Sequence, residues 1–246
     1  MQRSDFKEYS AALNREMPFT VYGRSGVPII VFPTQNGRCH DYEDNGMVDA
    51  LSSHIEEGRL QLFCVDSVDS ESWSSQNPDK GHRSWVLEQW FYYITQEFYG
   101  RVREINASGR MPVTTGCSMG ATHALNMFLR RPDLFAGTIA LSGAYDARYF
   151  FGDWSDENLY RNNIIEYMSG MSADHPYIKI YNKRTIIVCT GQGAWEDEMR
   201  RTTAILRDVF SRKGIRAWFD FWGYDVNHDW PWWRKQIAYF IEHVLD

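Results

Sequence analysis

The chain has 246 residues, 43% of them apolar, with 26 basic and 32 acidic side chains and a net charge of −6. This length suits one α/β domain with a sizeable core. The acidic balance without a Lys/Arg run excludes a nucleic-acid binder, which needs a basic face to neutralise phosphates, and no stretch reaches the roughly 18 apolar residues of a membrane helix.

Met1 to Lys7 lacks the apolar core of a secretion signal, so a cytoplasmic protein is expected. The four cysteines, Cys39, Cys64, Cys117 and Cys189, contain no Cys-x-x-Cys pair, which argues against zinc and thioredoxin-type sites. Cys64 and Cys189 lie inside apolar runs and read as small buried hydrophobes.

Val27–Phe32 is almost continuously apolar, as a strand buried on both faces must be. A helix follows over Met47–Ile55, then a strand over Leu60–Asp66. Arg83–Ile105 reads as one long helix, with Trp85, Leu87, Trp90, Tyr93, Ile94 and Phe98 at core-facing spacings. Val113–Gly116 is a strand entering a tight turn, and Gly120–Arg130 a helix ended by Pro132-Asp133. Further strands are expected at Gly137–Ser142, Thr185–Thr190 and Arg216–Trp222, with helices at Met199–Arg212, stopped by Gly214, and Trp232–Leu245. Strands alternating with helices predict one α/β domain over 1–246, a mostly parallel central sheet with helices on both faces. Residues 145–182 break the rhythm as a lid-like, polar-aromatic insertion. Its aromatics fit a lid, a pocket wall or a subunit interface, so a homo-oligomer stays open.

Gly116-Cys117-Ser118-Met119-Gly120 is a Gly-x-Ser-x-Gly pattern between a strand and a helix. That context puts the central serine on a strained, exposed turn as a nucleophile. Small residues Ala121 and Ala124 fit the close packing such a turn needs. Cys117 is expected to pack inward. A serine needs a base, and the chain order on this scaffold is serine, acid, histidine. Of the seven histidines only His228 and His243 follow the last strand. His243 lies in the closing helix and reads as packing, whereas His228 lies in the loop before it. The acid is sought after Thr185–Thr190, where Glu196, Asp197 and Glu198 stand together. Asp197 and Glu198 suit a helix start, which makes Glu196 the first choice and Asp197 the second. An oxyanion hole needs two backbone N–H groups. Met119 supplies one, and the Pro33–Arg38 loop the other through Gln35 or Asn36, with Gln35 preferred. Arg38, His40 and Asp41 line the entrance or merely solvate the loop. His40, Asp41, Glu43 and Asp44 are not at one-face spacing, so no metal is expected. His82 reads as a loop residue and His123 as helix packing beneath Ser118. Asp66 precedes the serine, against the triad order.

The serine turn, the Pro33-Thr34-Gln35-Asn36-Gly37 loop and the His228-Asp229-Trp230-Pro231-Trp232-Trp233 ending resemble the putative-esterase family of α/β-hydrolases. That family includes S-formylglutathione hydrolases, feruloyl and acetylxylan esterases, siderophore esterases and mycolyltransferases. The resemblance spans nearly the whole chain. It implies an α/β-hydrolase fold and a cofactor-free Ser-His-acid esterase that acts on a small-molecule ester through an acyl-enzyme. An acyltransferase or thioesterase would use the same residues, and a non-catalytic binding protein is the contrasting class. Relatives often carry an Asp a few residues after the strand-end glycine, where this chain has Ala194-Trp195. Six of the ten tryptophans fall between Trp195 and Trp233. They are expected mostly to brace His228 and the acid, with one facing substrate.

Overall fold

The computed structural model describes residues 1–245. Eight strands form one sheet in the order β1-β2-β4-β3-β5-β6-β7-β8. The first two, β1 (Arg3–Ser10) and β2 (Arg15–Tyr22), pair antiparallel, and β2 joins β4 antiparallel. They went unread in the sequence because β1 alternates charged outward residues with half-buried ones, an edge strand whose main anchor is Phe6 stacked on Phe19 at 4.7 Å. β3 (Val27–Phe32) and β4 (Leu60–Val65) are parallel and lie where the apolar runs put them.

Between β3 and β4 come α1 (Asp41–Asp44), α2 (Met47–Ala50) and α3 (Ser52–Glu56). The single helix expected over Met47–Ile55 is thus broken at fully buried Leu51, which leaves helical geometry at φ −110°, ψ 5°. The long helix starts at Lys80, three residues early, because the Asp79 carboxylate caps the His82 N–H at 3.0 Å. His82 is therefore helical, not a loop residue. That helix, α4 (Lys80–Tyr92), widens into a π-helical stretch at Tyr93–Phe98 before α5 (Tyr99–Asn106). Trp85 is not in the core as expected. It is exposed and stacks on His82.

The strands β5 (Val113–Cys117), β6 (Gly137–Leu141), β7 (Thr185–Thr190) and β8 (Trp218–Phe221) complete the parallel part of the sheet. β8 starts later than expected because the Arg216 N–H is taken by the Asn182 side chain at 2.7 Å. α6 (Met119–Arg130) follows β5. The 145–182 segment folds as α7 (Arg148–Phe151), α8 (Glu157–Asn162), α9 (Ile164–Gly170) and α10 (Pro176–Tyr181). It is tied to the body by polar contacts. Ser84 donates to Asp156, Asn162 to Glu88, and the Tyr181 hydroxyl to the Leu129 carbonyl. Next comes α11 (Asp197–Lys213), ended by Gly214 at φ +67°. Last are α12 (Trp230–Phe240), which starts two residues early on the Asp229 cap, and a 3₁₀ turn at Ile241–Val244.

Alternate residues of each central strand serve opposite cores. Ile30 and Phe32 pack with Trp90, Phe128 and Val209 on one face. Ile29 and Val31 pack with Met47, Ile237 and Phe240 on the other. This double burial explains why β3 is continuously apolar and why its neighbours are mostly so, with the buried Thr114 and Thr115 hydroxyls donating to the Ala124 and Ile139 carbonyls. The shared direction of β3 to β8 gathers their C-terminal ends at one rim, where open α/β sheets bind ligands. No helix among the described residues is long and apolar enough to cross a membrane.

Candidate active site

β5 passes into α6 through Ser118, held at φ 56°, ψ −124°. An L-residue adopts that backbone only when its surroundings enforce it. The flanking glycines make the turn sterically feasible. A Cβ on Gly116 would lie 2.4 Å from the Gly120 backbone, and one on Gly120 would lie 2.3 Å from the Phe32 carbonyl oxygen. The Ser118 N–H donates to the Leu141 carbonyl at 2.9 Å, so β6 anchors the turn.

Cys117 packs inward, as expected, and burial pushes its thiol well above the usual range. Burial does the same for Cys64 and Cys189, and raises Cys39 to about 11. Only thiolates alkylate readily. Native protein treated with iodoacetamide at pH 8 should therefore keep its activity and its Cys117 thiol. Inactivation tracking Cys117 alkylation would move the nucleophile to sulfur.

His228 Nε2 lies 2.8 Å from Ser118 Oγ. Its Nδ1 faces Glu196 Oε1 at 3.5 Å, long for a hydrogen bond. Such contacts often tighten only when substrate binds. Glu196 is 1% exposed, and its carboxylate accepts from Ser142 Oγ at 2.6 Å and Thr190 Oγ1 at 2.9 Å. Trp233 Nε1 in turn donates to Ser142 Oγ at 3.2 Å. Asp197 points away. Its side chain is 90% exposed and pairs with Arg200 at 3.1 Å. Glu198 pairs with Arg201 at 2.7 Å, so both act at the helix start. Ser142 and Thr190 had no motif to flag them, but both are polar residues at C-terminal strand ends. Two further contacts join the acid and histidine loops: the His228 N–H donates to the Ala194 carbonyl at 3.0 Å, and the Ala194 N–H to Asn227 Oδ1 at 2.8 Å.

In the loop after β3, the Thr34 N–H donates to Asp41 at 2.9 Å and the Asn36 N–H to Asp69 at 3.3 Å. The Gly37 N–H donates to the Thr34 carbonyl at 2.8 Å. Within residues 34–37, Gln35 is the residue whose N–H has no protein partner among the described residues, and it is the one of this stretch that lines the cavity beside Ser118. Met119 opens α6, so its N–H has no intrahelical partner either. Arg38 pairs with Asp66 at 2.7 Å and His40 faces Asp44 at 3.6 Å. With Asp41 on Thr34, these residues brace and solvate the loop rather than line the cavity.

Ser118, His228, Gln35 and Met119 share a cavity of about 310 Å³. Tyr149 and Phe150 from the 145–182 segment, with Trp195 and Met199, complete its walls. No Lys, Arg, Asp or Glu lines it among the described residues. The tryptophans divide by role. Trp233 meets the His228 ring edge-on at 4.8 Å, and Trp230 meets Trp233 likewise at 5.0 Å. Trp218 on β8 and Trp222 just after it instead pack on Phe240 and Tyr239 of α12, away from His228. Trp232 stacks with Lys235. Trp195, at φ +66° and 85% exposed, is the tryptophan that lines the cavity.

A search of curated proteins returns no match. Solved structures do match. A ferulic acid esterase superposes with a TM-score of 0.78 at 14% identity, covering 99% of this chain and 97% of that chain. An S-formylglutathione hydrolase from Agrobacterium tumefaciens gives 0.75 at 14%, covering 99% and 94%. Another, from Staphylococcus aureus, gives 0.68 at 16%, covering all of both chains. At these identities the likeness is one of fold, here the α/β-hydrolase fold. The family described as "Putative esterase" matches residues 10–242, nearly the whole chain. The chain belongs to that family and is an esterase.

Proposed function

We propose that the protein hydrolyses a small or medium uncharged carboxylic ester through Ser118, His228 and Glu196, with the Met119 and Gln35 N–H groups as the oxyanion hole. The observation that carries this reading is the 2.8 Å contact between Ser118 Oγ and His228 Nε2, on a turn that holds the serine in the shared cavity. Ser118 Oγ attacks the ester carbonyl carbon as its proton passes to His228 Nε2. The carbonyl oxygen gains the negative charge, and the two N–H groups stabilise it. Collapse of the tetrahedral intermediate breaks the C–O bond, and His228 returns the proton to the leaving alkoxide. Water, deprotonated by His228, then attacks the acyl-enzyme and frees Ser118. Glu196 holds the tautomer with Nδ1–H towards itself and offsets the imidazolium charge. Labelling with a fluorophosphonate probe tests the nucleophile: stoichiometric label on Ser118 is expected, and an intact fold without label refutes the reading.

The cavity chemistry supports flat, uncharged esters. Trp195 and Tyr149 are large, rigid and exposed, and Phe150 stands beside Tyr149. Ferulic acid esterases are among the similar structures, so aryl esters belong in a panel of p-nitrophenyl, aryl and acetyl-sugar substrates. Aromatic contacts are worth about 0.5–1.5 kcal/mol, so Trp195→Ala should lower kcat/KM for aryl esters roughly threefold to tenfold, mainly through KM. Its melting temperature should hold, since the side chain packs against little. An unchanged aryl/acetyl preference in this variant would remove Trp195 from the binding site.

A further inference from the structure

Asp69 opens the 3₁₀ turn Asp69–Glu71, and its side chain is fully buried. It plays no part in the reaction derived above. A carboxylate is buried only where partners compensate it, and here there are two. Oδ2 accepts from the Asn36 N–H at 3.3 Å, and Oδ1 accepts from His123 Nε2 at 2.8 Å. His123 is itself 3% exposed, its ring edge-on to Trp90 at 4.5 Å. It stands one helical turn after Met119 on α6, so it shares a rigid element with one proposed oxyanion donor. Asn36, at φ +61°, is the neighbour of Gln35, the other proposed donor. Ser74 completes the corner, with its hydroxyl donating to Asn36 Oδ1 at 2.5 Å.

The other two carboxylates on this loop do not make that link. Asp41 holds Thr34 from within the same segment. Asp66 holds the Cys39 N–H at 2.7 Å and pairs with Arg38. The bridge from the Asn36 N–H through Asp69 to His123 runs from the loop to the helix that begins at Ser118.

We infer that Asp69 and His123 are positioning residues that set the spacing of the two oxyanion donors, by locking the Gln35 loop to the nucleophile helix. This rests on the reading of Ser118, Met119 and Gln35 given above. The oxyanion forms only in the transition state, so a loosened donor lowers kcat and spares KM. Misplacement by about 1 Å can cost on the order of 10²-fold. Asp69→Asn offers one acceptor and one NH₂ where two donors converge, so one bond is lost. His123→Leu removes the ring donor, whereas His123→Gln brings an amide N–H to a similar reach.

The test uses the full chain with p-nitrophenyl acetate, and counts competent sites by stoichiometric fluorophosphonate labelling of Ser118. Asp69→Asn and His123→Leu should cut kcat per labelled site about 10- to 100-fold, with KM within about threefold. His123→Gln should recover most of the loss. In a Gln35→Pro background, which lacks the amide donor, Asp69→Asn should cost little more, because both changes act on one interaction. A purely structural role predicts fewer labelled sites at unchanged kcat per site, and that result overturns the inference. Full additivity with Gln35→Pro also overturns it. Should Asp69→Asn fail to fold, the His123→Leu and His123→Gln pair decides alone, and equal kcat per site in both is refuting. A wild-type protein that takes no label brings down the Ser118 reading itself, whereas a labelled wild type with indifferent variants brings down only the positioning role.

Discussion

Ser118→Ala is expected to lower kcat by about 10⁶-fold, the loss found when a triad nucleophile is removed from a unit that acts together. The size follows from the isolation of this hydroxyl. Cys117, the adjacent nucleophile, points into the core with its thiol protonated, and Ser142 is buried behind the acid. Residual turnover should come only from binding and from the oxyanion donors. Alanine at φ 56° bears much the same backbone strain as serine, so the melting temperature should barely move. The check is steady-state hydrolysis of p-nitrophenyl acetate beside fluorophosphonate labelling and thermal unfolding. A variant that keeps even a hundredth of wild-type kcat would place the nucleophile elsewhere.

Glu196→Gln should cost about 10³–10⁴-fold in kcat, on the scale of losing the acid in other triads, while Asp197→Asn stays within about twofold. The contrast comes from where each carboxylate points. Glu196 is buried behind His228 and receives two hydroxyl donors. Asp197 is almost fully in solvent, on a surface pair with Arg200. In Glu196→Gln one of the Ser142 and Thr190 hydroxyls keeps donating, to the amide oxygen, and the other can rotate to accept from the amide NH₂, so the site stays hydrogen-bonded. What is lost is the charge that stabilises the imidazolium and the acceptor that fixes the ring tautomer. Removing a buried charge also removes its desolvation cost, so stability should not fall with activity. Equal losses in the two variants, or a larger one in Asp197→Asn, would reverse the assignment of the acid.

The parallel core was legible because strands buried on both faces must be continuously apolar. β3 and β7 begin and end where their apolar runs do, and β5 and β6 differ from theirs by one residue. The antiparallel pair β1 and β2 was not, since Arg3, Asp5 and Lys7 alternate with half-buried residues and mimic a solvated segment. At the site, Ser118 was legible from its two glycines, and His228 from its place after the last strand. The choice of Glu196 rested only on the neighbours' fitness for a helix start. The contacts that hold its carboxylate behind His228 come from Ser142, 54 residues away, and Thr190 on the adjoining strand end. His123 could be seen beneath the serine, but its partner Asp69 lies on another crossover, and pairing at that range leaves no local pattern. Nor could spacing show that Tyr149 and Phe150 reach the cavity, because that depends on how four short helices pack.

The seam between the acid and histidine loops constrains how this enzyme can drift or be redesigned. The Gly193 N–H reaches the Val226 carbonyl at 2.9 Å, and a Cβ on Gly191 would fall 2.1 Å from that same oxygen. A Cβ on Gly193 would fall 2.4 Å from Asn227 Oδ1. Neither glycine can be exchanged unless the Tyr224–His228 stretch shifts as well, and a new Asn227 rotamer would strand the Ala194 N–H. The two loops therefore form a single inheritable cassette: a graft that imports one without the other brings an acid and a base built for different neighbours.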